Sequence, residues 1–149
     1  MKIYFAGSIR AGRRDAAIYD AMIKRLQSFG EVLTEHVGNA SLSVAGDDGP
    51  NDGHIHNRDM AWLETCDLVV AEVTVPSLGV GYELGWATAQ KKPVLCLHRI
   101  MPGRPLSAMI AGSPGIQTTV YSSMDEAEKI MEEFIRATAE GISGDLRKT

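Results

Sequence analysis

Short apolar runs and amphipathic stretches alternate along this chain. KIYFA (2–6) is apolar and rich in β-formers, and Gly7-Ser8 cuts it off. From 15 to 29 the residues Ala16, Ile18, Tyr19, Met22, Ile23 and Leu26 recur at helical spacing, with Gly30 as the expected stop. EVLTEHV (31–37) reads as a second strand, and 38–53, rich in Gly, Asn, Asp and Ser without periodicity, as a loop. HIHNRDMAWLETC (54–66) reads as a helix with Ile55, Met60 and Leu63 on its inner face. DLVVAEV (67–73) is a near-continuous apolar run of the kind buried on both faces of a parallel sheet. A helix over 79–90, a strand over 93–98, one or two helical turns over 106–112, a strand over 116–121 and a charged amphipathic helix over 124–140 complete the pattern. The tail 141–149 reads as frayed or disordered.

Alternating strands and helices with short connections predict an α/β fold. It is a right-handed, doubly wound (flavodoxin/Rossmann-like) sheet of five parallel strands in the order 2-1-3-4-5, with helices on both faces of a single domain over 1–140. Ligands of such sheets bind beyond the carboxyl ends of the strands, where the strand order reverses. The expected site therefore lies at the loops GSIRAG (7–12) and TVPSLGVGYE (74–83).

Composition narrows the class. With 149 residues, 44% apolar and 23% charged, the chain has the profile of an ordinary globular domain. A formal charge of -4 argues against a broad nucleic-acid surface but leaves room for a small anion bound locally. The apolar runs are too short to span a membrane or to serve as a signal-peptide core. Cys66 and Cys96 lack metal-type spacing and read as buried thiols in a reducing, intracellular compartment, the cytoplasm.

In the first loop, Gly7 lets backbone approach a ligand, Ser8 offers a hydroxyl, Ile9 lies between them and Arg10 can fork onto a phosphate. The dinucleotide and Walker spacings are both missing, so from pattern alone an ordinary βα turn and an anion cradle stand equal. In the second loop Ser77, Gly79 and Gly81 precede a helix whose unpaired N–H groups face the same space. Glu83 sits in the first turn of that helix among Tyr82, Leu84 and Trp86. It is either a favourable acid at a helix N-terminus or a desolvated carboxylate available for nucleophilic or acid/base work. On pattern alone Asp59 is a solvated helix residue, and Tyr4, on the opposite face from Ile3 and Phe5, belongs to the core. His54, His56 and Asp59 invite a metal, but an H-x-H pair on a helix is splayed by about 200 degrees, so no metal is expected. Asp67 and Glu72 bracket the third strand, where Glu72 reads as satisfying backbone.

IYFAGSIR, VLTEHV, DLVVAEVTVPSLGVGYELG and LSAMI together resemble the 2'-deoxynucleoside 5'-phosphate N-hydrolases, within the wider nucleoside 2-deoxyribosyltransferase-like family. The resemblance runs over about residues 2–140 and is most specific at 67–85. It implies cleavage of the N-glycosidic bond of a deoxynucleoside monophosphate, without metal or organic cofactor, giving free base and 2-deoxyribose 5-phosphate. By position, Glu83 matches the family nucleophile, Asp59 the carboxyl group that assists departure of the base, and Tyr4 the tyrosine beside sugar and nucleophile. Gly7, Ser8, Ile9, Arg10, Ser77 and Gly79 match the phosphate cradle. Ser107 matches a serine reaching the phosphate from the partner subunit of a homodimer, and His36 and Trp62 fall in the base and sugar vicinity. The resemblance also adds a nuclear fraction to the cytoplasmic expectation. Its rivals are a ribonucleotide (CMP-type) N-glycosidase or a nucleoside deoxyribosyltransferase of the same fold, and a nucleotide-binding protein without turnover.

Overall fold

A computed structural model describes residues 1–9, 15–38, 51–103 and 105–146. Five strands, β1 (Lys2–Ala6), β2 (Glu31–Val32), β3 (Leu68–Glu72), β4 (Val94–Arg99) and β5 (Gln117–Tyr121), form one sheet in the order β2-β1-β3-β4-β5. Every pairing is parallel, as the alternation of strands and helices predicts. The helices are α1 (Ala16–Gln27), α2 (Asp52–Thr65), α3 (Leu78–Ala89), the single turn α4 (Ala108–Ala111) and α5 (Met124–Leu146).

Strand alternation divides the core in two. Ile3, Phe5, Leu68 and Val70 face α1 and α5, where Tyr19, Met22, Leu26 and Met131 are fully buried. Tyr4, Ala6, Val69 and Ala71 face the other way, against Leu63 of α2 and Val80, Leu84 and Ala87 of α3. Each such leucine contributes about 1.5–3 kcal/mol by leaving water. The register that sets Tyr4 beside Val69 turns its ring toward the helices that carry Asp59 and Glu83. The two buried cysteines, Cys66 and Cys96, are free thiols in this second half-core.

The second strand is shorter than its apolar pattern suggests. β2 stops at Val32, and a 3-10 turn, η1 (Glu35–Gly38), follows where more strand was expected. The cause is Thr34: its hydroxyl accepts from Phe5 N at 2.8 Å and donates to Phe5 O at 2.7 Å. One side chain thus replaces a rung of the backbone ladder, and Val37 N closes the turn onto Thr34 O at 3.0 Å. The role expected of Gly30 also changes. α1 ends at Gln27, and Gly30 is needed because a Cβ there would stand 2.2 Å from Met1 O, where the strand edge is crossed. α5 continues past its expected end at 140 as far as Leu146. Residues 39–50 of the expected loop and 147–149 of the expected tail lie outside the described residues.

Both acids that bracket β3 serve the backbone there. Asp67 accepts from Lys2 N at 2.6 Å, and Glu72, fully buried, accepts from Thr74 N at 3.3 Å. Glu72 also takes the Thr74 hydroxyl and, at 3.0 Å, the Tyr121 hydroxyl. Burial still pushes its carboxyl above the ordinary range, with these donors opposing.

Candidate active site

The carboxyl ends of β1 and β3 open into a cleft of about 670 Å³ between α2 and α3, a size suited to a nucleotide. Gly7 and Ile9 of the first loop and Ser77 and Gly79 at the start of α3 line it. Ser77 is the N-cap of α3, its Oγ accepting from Val80 N at 3.4 Å, so its own O–H still has a proton to donate. The other early N–H groups of α3 have no intrahelical carbonyl, which makes this end of the cleft receptive to an anion. Ser8 is fully buried, and its hydroxyl has no hydrogen-bond partner among the described residues. Arg10, expected in the same cradle, lies outside them.

Gly79 and Gly81 do not serve an unusual backbone. Among the described residues only Gly103 is a glycine with positive φ. A Cβ at Gly79 would meet nothing closer than Ser77 Oγ at 3.8 Å, and one at Gly81 would meet nothing within 4 Å.

One helical turn further on, Glu83 lines the cleft and accepts the phenol of Tyr4 through Oε1 at 2.9 Å. Burial is the main reason its pKa rises from 4.5 to about 7; the Tyr4 hydrogen bond opposes the rise and the charge of Asp59 adds to it. Tyr4 is itself pushed upward by burial first, then by the charges of Glu83 and Asp59. It therefore stays a phenol, a permanent donor to the carboxylate. A half-buried carboxyl raised in this way is what the desolvated reading of Glu83 requires.

Asp59 lines the opposite wall, where Arg58 Nε donates to its Oδ1 at 2.9 Å. The Arg58 guanidinium lies over the Trp62 ring, 4.7 Å from its centroid, with Nη2 3.3 Å from His36 Nε2. His36 and Trp62 meet at 5.6 Å between ring centroids. Asp59, His36 and Trp62 thus come together, joined by Arg58, which sequence reasoning did not single out. The only signal was its place one residue before Asp59, and spacing does not reveal that a guanidinium folds back on its neighbour. His56 was also assigned no part in the site, yet it lines the cleft mouth with its Nε2 3.2 Å from the Tyr82 hydroxyl. Ser107 is exposed at the start of α4 and is not among the residues that line this chain's cleft.

The family model described as nucleoside 2-deoxyribosyltransferase matches residues 3–133. The chain belongs to this family. Within it, a Danio rerio protein named 5-hydroxymethyl-dUMP N-hydrolase is 54% identical over 137 residues, which cover 90% of this chain and 95% of the relative. A Homo sapiens protein of the same name is 47% identical over 142 residues, covering 93% of this chain and 82% of the relative. The solved structure of the CMP N-glycosidase BcmB from Clostridium botulinum has the same fold, with a TM-score of 0.63 at 19% identity over 89% of this chain and 98% of that one. This chain and that structure share the fold, and in doubly wound sheets the switch-point cleft is where ligands bind.

Proposed function

We propose that this protein hydrolyses the N-glycosidic bond of 2'-deoxynucleoside 5'-monophosphates, releasing the free base and 2-deoxyribose 5-phosphate. The observation that carries this reading is the Tyr4–Glu83 pair, a desolvated carboxylate held by one oxygen inside a cleft whose end is a helix N-terminus. The relatives' names support nucleotide N-hydrolysis and make 5-hydroxymethyl-dUMP the first substrate to assay.

The phosphate binds at Gly7, Ser8, Ile9, Arg10, Ser77 and Gly79, where the buried Ser8 hydroxyl gains a partner and the Ser77 O–H donates. Bonds to a charged group contribute about 1.5–3 kcal/mol each, so several of them favour the nucleotide strongly over the nucleoside. With the phosphate there, Glu83, one turn along α3 from Gly79, faces the sugar. Tyr4 occupies Oε1, and the other oxygen attacks the anomeric carbon. The transition state is oxocarbenium-like, and a carboxylate below it stabilises the charge and forms a covalent glycosyl-enzyme, which water resolves. Asp59, His36 and Trp62 surround the departing base.

The working unit of this proposal is a homodimer. Leu78 is 96% and Met109 82% exposed, and α4, which carries Met109, packs through Ile110 on the same half-core as α3. In the proposed dimer a second copy covers these exposed side chains and brings its Ser107 to the phosphate.

Incubation with 5-hydroxymethyl-dUMP, dGMP, GMP and deoxyguanosine, followed by assay of free base and sugar phosphate, tests the reading. Release of base from a deoxynucleotide, with little from GMP or deoxyguanosine, is expected. If purified protein leaves every deoxynucleotide intact, the reading fails; if GMP is cut as fast as dGMP, the deoxy preference fails.

A further inference from the structure

A polar network at the carboxyl ends of β3, β4 and β5 has no part in the mechanism above. It begins at Asp15, the N-cap residue through which the first loop enters α1. An Asp there ordinarily caps the helix by accepting one of its first N–H groups. Asp15 makes no such bond; its Oδ2 accepts from Arg99 Nη2 at 2.8 Å, across 84 residues of sequence. Arg99 closes β4, and its backbone N donates to the Thr74 hydroxyl at 2.8 Å. That hydroxyl donates in turn to Glu72, which also accepts from Thr74 N at 3.3 Å and from the Tyr121 hydroxyl at 3.0 Å. Asp15, Thr74, Glu72 and Tyr121 are buried, and none of the network lines the cleft.

Packing alone would not select this network, since well-packed apolar residues commonly replace a buried ion pair without loss of stability. What it supplies is a link between the two loops that converge on the phosphate. The first loop leaves β1 and ends at Asp15; the second leaves β3 and passes Thr74 to reach Ser77, the N-cap of α3. β4 belongs to neither loop, yet its last residue holds both, Asp15 by its side chain and Thr74 by its backbone. Glu83 is held separately, by the Tyr4 bond and by the packing of Val80, Leu84 and Ala87 around it in α3.

We infer that Arg99 is a positioning residue for the phosphate end of the cleft: through Asp15 and Thr74 it fixes the end of the first loop against the start of the second. This inference rests on the phosphate placement in the hydrolase reading. A phosphate that takes donors from both loops needs them at one spacing, because a hydrogen bond weakens steeply away from its preferred distance and angle. With the tie in place the donors are preorganised, and binding does not first have to order the loops. The Tyr4–Glu83 pair lies outside the network, so the tie governs affinity for the phosphate rather than the rate of bond cleavage.

The test measures the Kd of 2-deoxyribose 5-phosphate by calorimetry, and kcat and KM on 5-hydroxymethyl-dUMP. Arg99→Met keeps the stem and loses the donors, and Asp15→Ala loses the acceptor. Each should weaken Kd and raise KM about tenfold, within the reach of residues that act on a site without touching its ligand, and leave kcat within about twofold of wild type. The double variant should lose no more than the worse single one, because both break the same tie. Thr74→Val should behave like Arg99→Met, and Thr74→Ser, which keeps the hydroxyl, like wild type. A lowered urea midpoint with Kd and KM unchanged, a loss confined to kcat, losses that add in the double variant, or equal Kd for the two Thr74 variants overturns the assignment. If Arg99→Met does not fold with Asp15 left unpaired, the double variant, which buries no lone charge, and Thr74→Val decide: a wild-type Kd in them overturns the role and a weakened one supports it. Wild-type protein that neither cleaves the nucleotide nor binds the sugar phosphate sinks the hydrolase reading itself, whereas wild-type binding that every variant matches sinks the Arg99 role alone.

Discussion

The Tyr4 hydroxyl donates to Glu83 Oε1 at 2.9 Å, joining the first strand to the third helix across 79 residues of sequence. This bond works against the burial that raises Glu83. If Glu83 is the nucleophile proposed above it must be ionised, and the Tyr4 bond favours that form.

The first prediction concerns pH. With Glu83 at about 7, kcat/KM should fall as pH drops through about 7, because protonation would remove the proposed nucleophile. Tyr4→Phe keeps the ring packing and loses the donor, so the acid limb should move to higher pH and activity should recover partly in alkali. An unchanged acid limb in the variant would show that the bond does not tune Glu83.

Stability should run the other way. Between 4.5 and about 7 the folded Glu83 binds a proton that the unfolded chain has lost. The group therefore contributes most below pH 4.5, and that contribution is lost as pH rises through about 7. Glu83→Gln removes the ionisation and should abolish turnover. It should also be more stable than wild type at pH 8 by up to about 3 kcal/mol, with the gap closing toward pH 5. Urea midpoints at the two pH values measure this, and a variant less stable than wild type at pH 8 contradicts it.

Subunit sharing makes its own prediction. Ser107→Ala should raise KM for the nucleotide about tenfold, the scale of one lost bond to a charged group. Mixing it with Glu83→Gln should restore part of the activity, since a mixed dimer holds one intact site. No restoration after proven subunit exchange counts against the shared site.

Thr34→Val tests the pin that ends β2. The swap leaves both Phe5 N and Phe5 O without the hydroxyl, and each buried orphan costs about 1–3 kcal/mol. A loss of about 2–4 kcal/mol in denaturant unfolding is expected; a loss under 1 kcal/mol would show that the backbone re-pairs.

Much of the cleft was legible because periodicity reports which face a residue occupies. Alternation placed Tyr4 opposite Ile3 and Phe5, and the structure turns it to the α2/α3 side. Helical spacing over 79–90 placed Glu83 in the first turn of a helix at the switch point, and the structure starts that helix one residue earlier, capped by Ser77. Where sequence reading failed, a side chain had competed with a backbone pattern or reached a neighbour that spacing does not predict. Thr34 took the place of a β2 rung, Gly30 answered to Met1 O rather than to the helix, and Arg58 folded back to Asp59 while covering Trp62.

The sequence by itself determined the elements, the parallel sheet with its strand order, and the pole at which a ligand binds, because hydrophobic period, turn residues and connection length are local quantities that leave few topologies open. Tertiary structure alone decided the state of the groups at that pole. Whether Glu83 is an ordinary helix-cap acid or a carboxylate raised to about 7 depends on how much water the packed α2 and α3 exclude and on a phenol brought from β1. Desolvation and through-space charge belong to the assembled cleft, and no window of sequence contains them.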